Sequence, residues 1–202
     1  SHLRKAESRL ALTATPFMRS SAEANMRLMA AFGPIGIEIS EKMLIDRGIL
    51  AKPYFKYVDL PPPKKLRRTT NWQRAQEIGI IGHEMRNADM VQRALKAKQY
   101  GLTTMALIVR KSHGAILNKM MLDAGLRSVF IFGEASQAKR DKALLALEKG
   151  TIDVLIGSTI LDVGVDVPAV GQILLGGGGK AEVSLRQRVG RGLREKKSGP
   201  NV

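Results

Sequence analysis

Near-continuous apolar runs alternate with amphipathic segments over the second half of the chain. Residues 104–109 form the first such run, which is the pattern of a strand buried on both faces of a sheet. Similar strands are predicted at 128–132, 152–156 and 171–175. Between the runs, apolar residues recur at helical spacing: Ile116, Leu117, Met120 and Met121, and later Ala143, Leu144 and Leu147. This alternation predicts an α/β fold with a mainly parallel sheet and helices on both faces.

Glycine and serine residues predict where the helices of this half begin and end. Gly125 and Gly150 each follow an amphipathic segment, where a glycine commonly closes a helix. Ser136 precedes the second amphipathic segment and is a candidate N-cap.

The N-terminal half has shorter and less regular patterns. Ser20 or Ser21 is predicted to cap a helix that runs through Ala31, and residues 39–48 read as a short helix ending at Gly48. Residues 54–60 alternate as an edge strand does.

Residues 61–68, Pro-Pro-Pro-Lys-Lys-Leu-Arg-Arg, form a basic loop that is interpreted as a solvated linker, with contact to a nucleic-acid backbone as the alternative. Residues 72–100 are mostly helical by propensity. Trp72 is the only tryptophan of the chain, and a packed anchor is favoured over a base-stacking role.

Composition narrows the class of partner. The 202 residues carry a net charge of +15, which favours a polyanion and, first among polyanions, nucleic acid. The chain has no cysteine and no His/Cys cluster, so no metal site is predicted. No apolar stretch is long enough to span a membrane and no signal peptide is visible, so we expect a cytoplasmic protein.

Three short motifs carry the chemistry. Residues 157–168 read Gly-Ser-Thr-Ile-Leu-Asp-Val-Gly-Val-Asp-Val-Pro, and residues 187–194 read Gln-Arg-Val-Gly-Arg-Gly-Leu-Arg. Residues 12–16 read Leu-Thr-Ala-Thr-Pro. In this order they resemble motifs V, VI and III of the superfamily 2 helicases, the ATP-driven translocases of DNA and RNA. The resemblance implies a RecA-like three-layer sandwich for the predicted α/β fold.

The arginines of the motif VI segment suit phosphoryl-transfer chemistry, which needs cations near the γ-phosphate. Arg191 and Arg194 lie three positions apart and would face the same way on a helix. The resemblance implies that both are arginine fingers and that Gln187 senses the nucleotide. Arg188 is assigned to the nucleotide as well, with a structural ion pair as the alternative.

The motif V segment combines a turn with hydroxyls and a carboxylate. Gly164 lets the backbone pass close to a ligand. By resemblance, Asp166 contacts the ATP ribose or couples it to the nucleic acid, while Ser158 and Thr159 hold strand phosphates. Such contacts grip a backbone without reading its sequence.

Further phosphate contacts are expected at the carboxyl ends of the strands, the edge where ligands bind in open α/β sheets. Residues 106–110 resemble motif IV, and Arg110 and Lys111 follow that strand. His113 is a capping candidate there. Ser136 lies at the corresponding end of the next strand, where simple N-capping is the alternative role. Thr13 and Thr15 match motif III, which implies coupling between the ATP site and strand movement.

The resemblance also predicts how the chain is organised. Residues 1–35 are expected to be a remnant of a first motor lobe, and residues 36–202 the C-terminal RecA-like lobe, with the basic loop 61–68. ATP with Mg²⁺ would be bound mainly by the first lobe, whose nucleotide-binding motifs have no counterpart in these residues.

The middle of the chain looks like phage and bacterial helicases of branch migration and repair. Together with the Gln-Arg opening of motif VI, this favours DNA, single-stranded or branched, over RNA. A restriction-enzyme motor, an RNA helicase and a non-catalytic nucleic-acid-binding module are the alternatives.

Overall fold

Four parallel strands form the centre of the protein. The computed structural model describes residues 8–13, 21–49, 52, 54–157 and 170–177. Within them, the strands are β1 (Thr104–Leu107), β2 (Ser128–Ile131), β3 (Val154–Gly157) and β4 (Gln172–Leu175). They lie in the order β2-β3-β1-β4, and every neighbouring pair is parallel. Each predicted strand is therefore present, although β1 ends at Leu107 rather than at residue 109.

Helices precede and connect these strands. Over the described residues they are α1 (Ala22–Phe32), α2 (Glu41–Asp46), a 3₁₀ helix (Lys64–Arg68), α3 (Trp72–Gln76), a π-helical turn (Glu77–Ile81), α4 (Glu84–Gln99), α5 (Lys111–Asp123) and α6 (Gln137–Glu148). Ser21 and Ser40 cap α1 and α2 through their side chains, which confirms both predicted helix starts.

The sheet is covered on both faces, as the apolar runs predict. Successive side chains of a strand point to opposite faces. On one face, Ala106 and Ile156 pack with Leu117 of α5 and with α4. On the other face, Met105 and Leu155 pack with α6. The three-layer α/β prediction is therefore confirmed.

Glycines in the left-handed region end the predicted helices. Gly48, Gly125 and Gly150 have φ of 70°, 78° and 67°. A side chain at these positions would strain the backbone, so each glycine provides the turn that its helix end requires.

A buried carboxylate ties several elements together at the amino edge of the sheet. Asp153 is 7% exposed; its Oδ2 accepts from the backbone N–H of Arg127 at 2.8 Å and lies 3.0 Å from Lys98 Nζ. Hydrogen bonds from Arg127 hold the pKa of Asp153 well below its usual value, although burial opposes them. These contacts join the residues before β2 and β3 to the end of α4.

Two expectations, for residues 54–60 and for Trp72, are wrong. Residues 54–60 form no strand. A groove lined by these residues and by β4 lies where hydrogen bonds between the two segments would form. Tyr54 and Tyr57 are 79% and 91% exposed. A strand needs a paired neighbour and a buried face, and this segment has neither. Trp72 is not a packed anchor, since it is 71% exposed.

The linker interpretation of residues 61–68 also fails. Lys64–Arg68 is a 3₁₀ helix, and Leu66 packs against the backbone of Gly79: a Cβ there would lie 3.3 Å from Leu66 Cδ2. His83 Nε2 donates to the Pro61 carbonyl at 3.2 Å. One apolar side chain and one partly buried hydrogen bond therefore hold this segment against the domain.

None of the helices described by the structure is long and apolar enough to cross a membrane.

Candidate nucleic-acid interface

The carboxyl edge of the sheet brings several of the predicted phosphate-binding residues to one side of the molecule. Because β1 and β2 run parallel, with β3 between them, the segments that follow them leave the sheet at the same edge. Arg110 and Lys111 follow β1, and Ser136 follows β2. Residues 158 and 159 follow β3 in the chain but lie outside the described residues.

Arg110 occupies the position before α5 and is held by one neighbouring side chain. Its Nε donates to Gln76 Oε1 at 3.1 Å, and Gln76 is 8% exposed. Among the described residues, no carboxylate pairs with this guanidinium. Its two terminal nitrogens therefore retain donors for an anion in a fixed orientation.

Lys111 forms an exposed ion pair. Its Nζ lies 2.9 Å from Glu134 Oε2 and 5.9 Å from the centre of the Phe132 ring. The two charged side chains are 59% and 79% exposed, so the pair contributes little to stability, about 0–1 kcal/mol. A phosphate could replace Glu134 as the partner of Lys111 at small cost.

Ser136 takes the predicted N-cap position of α6 without forming the cap. Its backbone is extended and its carbonyl accepts from the Arg140 N–H at 3.2 Å, but its hydroxyl makes no capping hydrogen bond. Within the part of the chain that the structure describes, the first N–H groups of α6 therefore lack a capping side chain.

Arg140 is a further cation at this edge that the sequence reasoning missed. Its Nη2 donates to the Gly133 carbonyl at 2.6 Å. The bond places the guanidinium over the loop that contains Ser136. Only the spacing of four residues from Ser136 could have indicated this position.

His113 is not a helix cap; it is a buried residue within α5. It is 1% exposed, and its Nε2 lies 2.9 Å from Asn87 Oδ1. Asn87 Nδ2 donates to the Ile81 carbonyl at 2.8 Å, so Oδ1 must accept and His113 Nε2 carries the proton. Burial, with a smaller effect of the nearby Arg86 charge, lowers the pKa of His113 to about 4. The pair locks the first turn of α5, just behind Arg110 and Lys111, to the start of α4.

Arg86 binds the carboxyl end of β4 at this edge of the sheet. Its Nη2 donates to the Gly176 carbonyl at 3.0 Å and lies 3.5 Å from the Leu175 carbonyl. Burial lowers the pKa of this guanidinium. No local sequence pattern signals the contact, because the partners are about ninety residues apart.

Of the remaining predicted site residues, the structure describes one, Thr13. Thr13 is exposed. Thr15, Ser158, Thr159, Gly164, Asp166, Gln187, Arg188, Arg191 and Arg194 lie outside the described residues. Their assignments stay predictions.

A comparison with protein families decides the kind of domain. The profile of the helicase conserved C-terminal domain matches residues 87–196, from the Asn87 that holds His113 through the motif VI segment. The match covers more than half of the chain. The chain belongs to this family. The predicted resemblance to the C-terminal lobe of superfamily 2 helicases is confirmed.

Individual relatives agree with the family. UvrABC system protein B of Thermotoga petrophila is 27% identical over 111 residues, covering 52% of this chain and 17% of that protein. The pre-mRNA-splicing ATP-dependent RNA helicase prp28 of Schizosaccharomyces pombe is 25% identical over 127 residues, covering 63% of this chain and 19% of that protein. The chain therefore spans less than a fifth of the length of these curated relatives.

A solved structure supports the fold. The crystal structure of T4 UvsW superposes with a TM-score of 0.54 at 21% identity, covering 63% of this chain and 26% of that one. At this identity the likeness concerns the fold alone. The fold is thus the RecA-like α/β fold of helicase C-terminal lobes, in a family with ATP-dependent helicases among its relatives.

Proposed function

We propose that this chain is the C-terminal motor lobe of an ATP-dependent superfamily 2 helicase or translocase that acts on DNA. The observation that carries the proposal is the range of residues that the family match covers. The family match spans both the carboxyl edge with Arg110, Lys111 and Ser136 and the segment with Arg191 and Arg194. One lobe would then offer a surface to strand phosphates and arginines to ATP.

The nucleic-acid contacts are assigned to the carboxyl edge. Arg110 and Lys111 supply charge, and Ser136, Ser158 and Thr159 supply hydroxyl and backbone donors. These groups recognise phosphates and leave base edges unread, as movement along any sequence requires. Arg110 pairs with no carboxylate of the described residues, and the ion pair of Lys111 is exposed; both observations support this assignment.

The nucleotide contacts are assigned to motifs V and VI. Arg191 and Arg194 would stabilise charge on the transferring phosphoryl group, with Gln187 as sensor. Gly164, Asp166 and Arg188 would contact ATP from this side of the cleft. A first motor lobe would bind most of ATP with Mg²⁺, and Thr13 and Thr15 would couple its nucleotide site to strand movement. Residues 1–35 would belong to that lobe.

The proposal is tested by measuring how nucleic-acid binding depends on salt. Labelled single-stranded DNA, duplex DNA and single-stranded RNA are titrated with the chain at several salt concentrations. We expect micromolar or weaker binding without sequence preference, falling steeply with salt because cations are released from the phosphates. Arg110→Ala with Lys111→Ala should flatten the log–log salt slope by about one to two units.

Two control variants sharpen the result. Lys96→Ala with Lys119→Ala removes two exposed charges from the halves of α4 and α5 nearer the amino edge, and should leave the slope almost unchanged. Thr159→Ala should weaken binding without changing the slope, since it removes no charge. Salt-insensitive binding or strong preference for one sequence would refute the translocase surface and favour a non-catalytic binding module. Tighter binding of RNA than of DNA would refute the DNA assignment.

A further inference from the structure

The segment before the helicase domain carries an unbalanced positive charge. Residues 61–76, here named the basic arm, contain Lys64, Lys65, Arg67, Arg68 and Arg74 and no aspartate or glutamate. All five cations are exposed. None of them forms an ion pair with a carboxylate of the described residues. The arm therefore offers charge to an anion without first breaking a protein contact.

The arm presents these cations from a rigid support. In a 3₁₀ helix, residues three apart lie above one another. Lys64 and Arg67 therefore form one row, Lys65 and Arg68 a second, while Leu66 turns inward onto Gly79. Because the helix is already formed, binding would lose little backbone entropy.

An exposed aromatic ring follows the two rows. Trp72 is 71% exposed and begins α3, whose start is fixed by Asn71 Oδ1 accepting from the Arg74 N–H at 3.1 Å. An exposed tryptophan gives up the stabilisation that its burial in the core would provide. Beside cations, such a ring is a platform for a nucleobase.

The arm is joined to the carboxyl edge. Trp72 and Gln76 are four residues apart and lie on the same face of α3, about 6 Å apart along its axis. Gln76 accepts from Arg110 Nε at 3.1 Å. Gln76 thus joins α3, which begins at Trp72, to Arg110 at the edge of the sheet, and Arg68 comes four residues before Trp72 in the chain.

We propose that the basic arm is a second binding site for single-stranded nucleic acid, in which Trp72 stacks on a base and the two cation rows hold the neighbouring phosphates. It extends the strand path of the proposed function, on which it rests. Stacking needs a base that is free of its partner, so the site selects single strands over duplex. The interaction carries no sequence preference, because every base has a stacking face.

Trp72 is the only tryptophan, so its fluorescence reports on this site directly. The 202-residue chain is titrated with oligo(dT), with an abasic strand of the same length, and with polyglutamate, while fluorescence and the anisotropy of a labelled strand are followed together. We expect oligo(dT) to quench the tryptophan along its binding curve. The abasic strand should bind more weakly and without quenching.

Substitutions separate stacking from charge. Trp72→Leu should weaken oligo(dT) binding by about five- to a hundredfold and leave abasic-strand binding unchanged. Arg67→Ala with Arg68→Ala should flatten the salt slope by about 1.4 on single strands. Lys96→Ala with Lys119→Ala is the matched charge control.

The possible results distinguish this site from the proposed function. Binding of oligo(dT) without quenching, and with no effect of Trp72→Leu, would overturn the stacking site while the carboxyl-edge contacts stand. Equal quenching by polyglutamate would also overturn it, since the arm would then accept any acidic chain. Failure of every nucleic acid to bind would overturn the proposed function, and this inference with it.

Discussion

Individual polar side chains set the geometry of the carboxyl edge. Asn87 and His113 form a buried pair in which each hydrogen bond has a defined donor and acceptor. Gln76 orients Arg110 by accepting a hydrogen bond from its Nε. A buried amide or imidazole that lost its partner would remain unsatisfied at a cost of about 1–3 kcal/mol. These residues therefore act as supports for the cations in front of them.

Neutral His113 makes stability depend on pH. Its pKa is about 4 when folded, below the ordinary 6.5, so the unfolded chain binds more protons between these values. The contribution of neutral His113 to the free energy of unfolding should be fully present above about pH 6.5. The free energy of unfolding should then fall by about 3 kcal/mol as the pH drops to 4. Urea unfolding at several pH values measures this loss.

His113→Gln serves as the comparison, because it keeps a donor for Asn87 and cannot titrate. It should lose most of the pH slope between 6.5 and 4. The Asp153 carboxylate, whose pKa is lowered, loses its contribution only below about pH 4 and does not interfere. An unchanged slope in His113→Gln would show that His113 is not the titrating group.

At the scale of elements, α5 approaches the sheet through a glycine. A Cβ on Gly114 would overlap the ring of Phe130 and lie 2.8 Å from Ile108 Cδ1. Any side chain here would force Phe130 and Ile108 to shift, so glycine lets the helix lie this close. The first turn of α5, with Lys111, takes its position from this contact.

Gly114→Ala should therefore destabilise the domain by about 1–3 kcal/mol, even though alanine favours helix by about 1 kcal/mol. Gly36→Ala is the control, because a Cβ there meets nothing within 4 Å. Urea unfolding of both variants makes the comparison. If Gly114→Ala is as stable as Gly36→Ala, the close approach of α5 is not real.

Local pattern predicts some of these elements and not others. The strands were predictable because β1 and β3 are buried along their whole length and so read as apolar runs. The helix ends at Gly125 and Gly150 were predictable because a positive φ requires glycine. Residues 54–60 alternate like a strand, but pairing depends on a neighbour that alternation does not reveal.

The supporting contacts of the site are long-range and leave no local signal. Arg110 meets Gln76 across 34 positions and His113 meets Asn87 across 26. The exposure of Trp72 is equally invisible, because a lone tryptophan is more often buried. The cations at the strand ends could be anticipated, but their partners could not.

For the whole molecule, the central claim is that this lobe completes an ATPase. The family match fixes the kind of domain, and the excess of positive charge suits a polyanionic track. Under the proposed function, the lobe would contribute to catalysis through arginines that meet ATP when the cleft closes. Removal of these arginines should affect turnover much more than ATP binding, since they act on the transition state.

The most direct test is the nucleic-acid-stimulated ATPase rate of the protein that joins this lobe to a first motor lobe. Arg191→Ala or Arg194→Ala should lower that rate by roughly a thousandfold or more with little change in ATP affinity. Lys197→Ala, a neighbouring cation outside the motif, should leave it near the unsubstituted value. ATPase rates within a few-fold of the unsubstituted protein for both arginine variants would contradict the account.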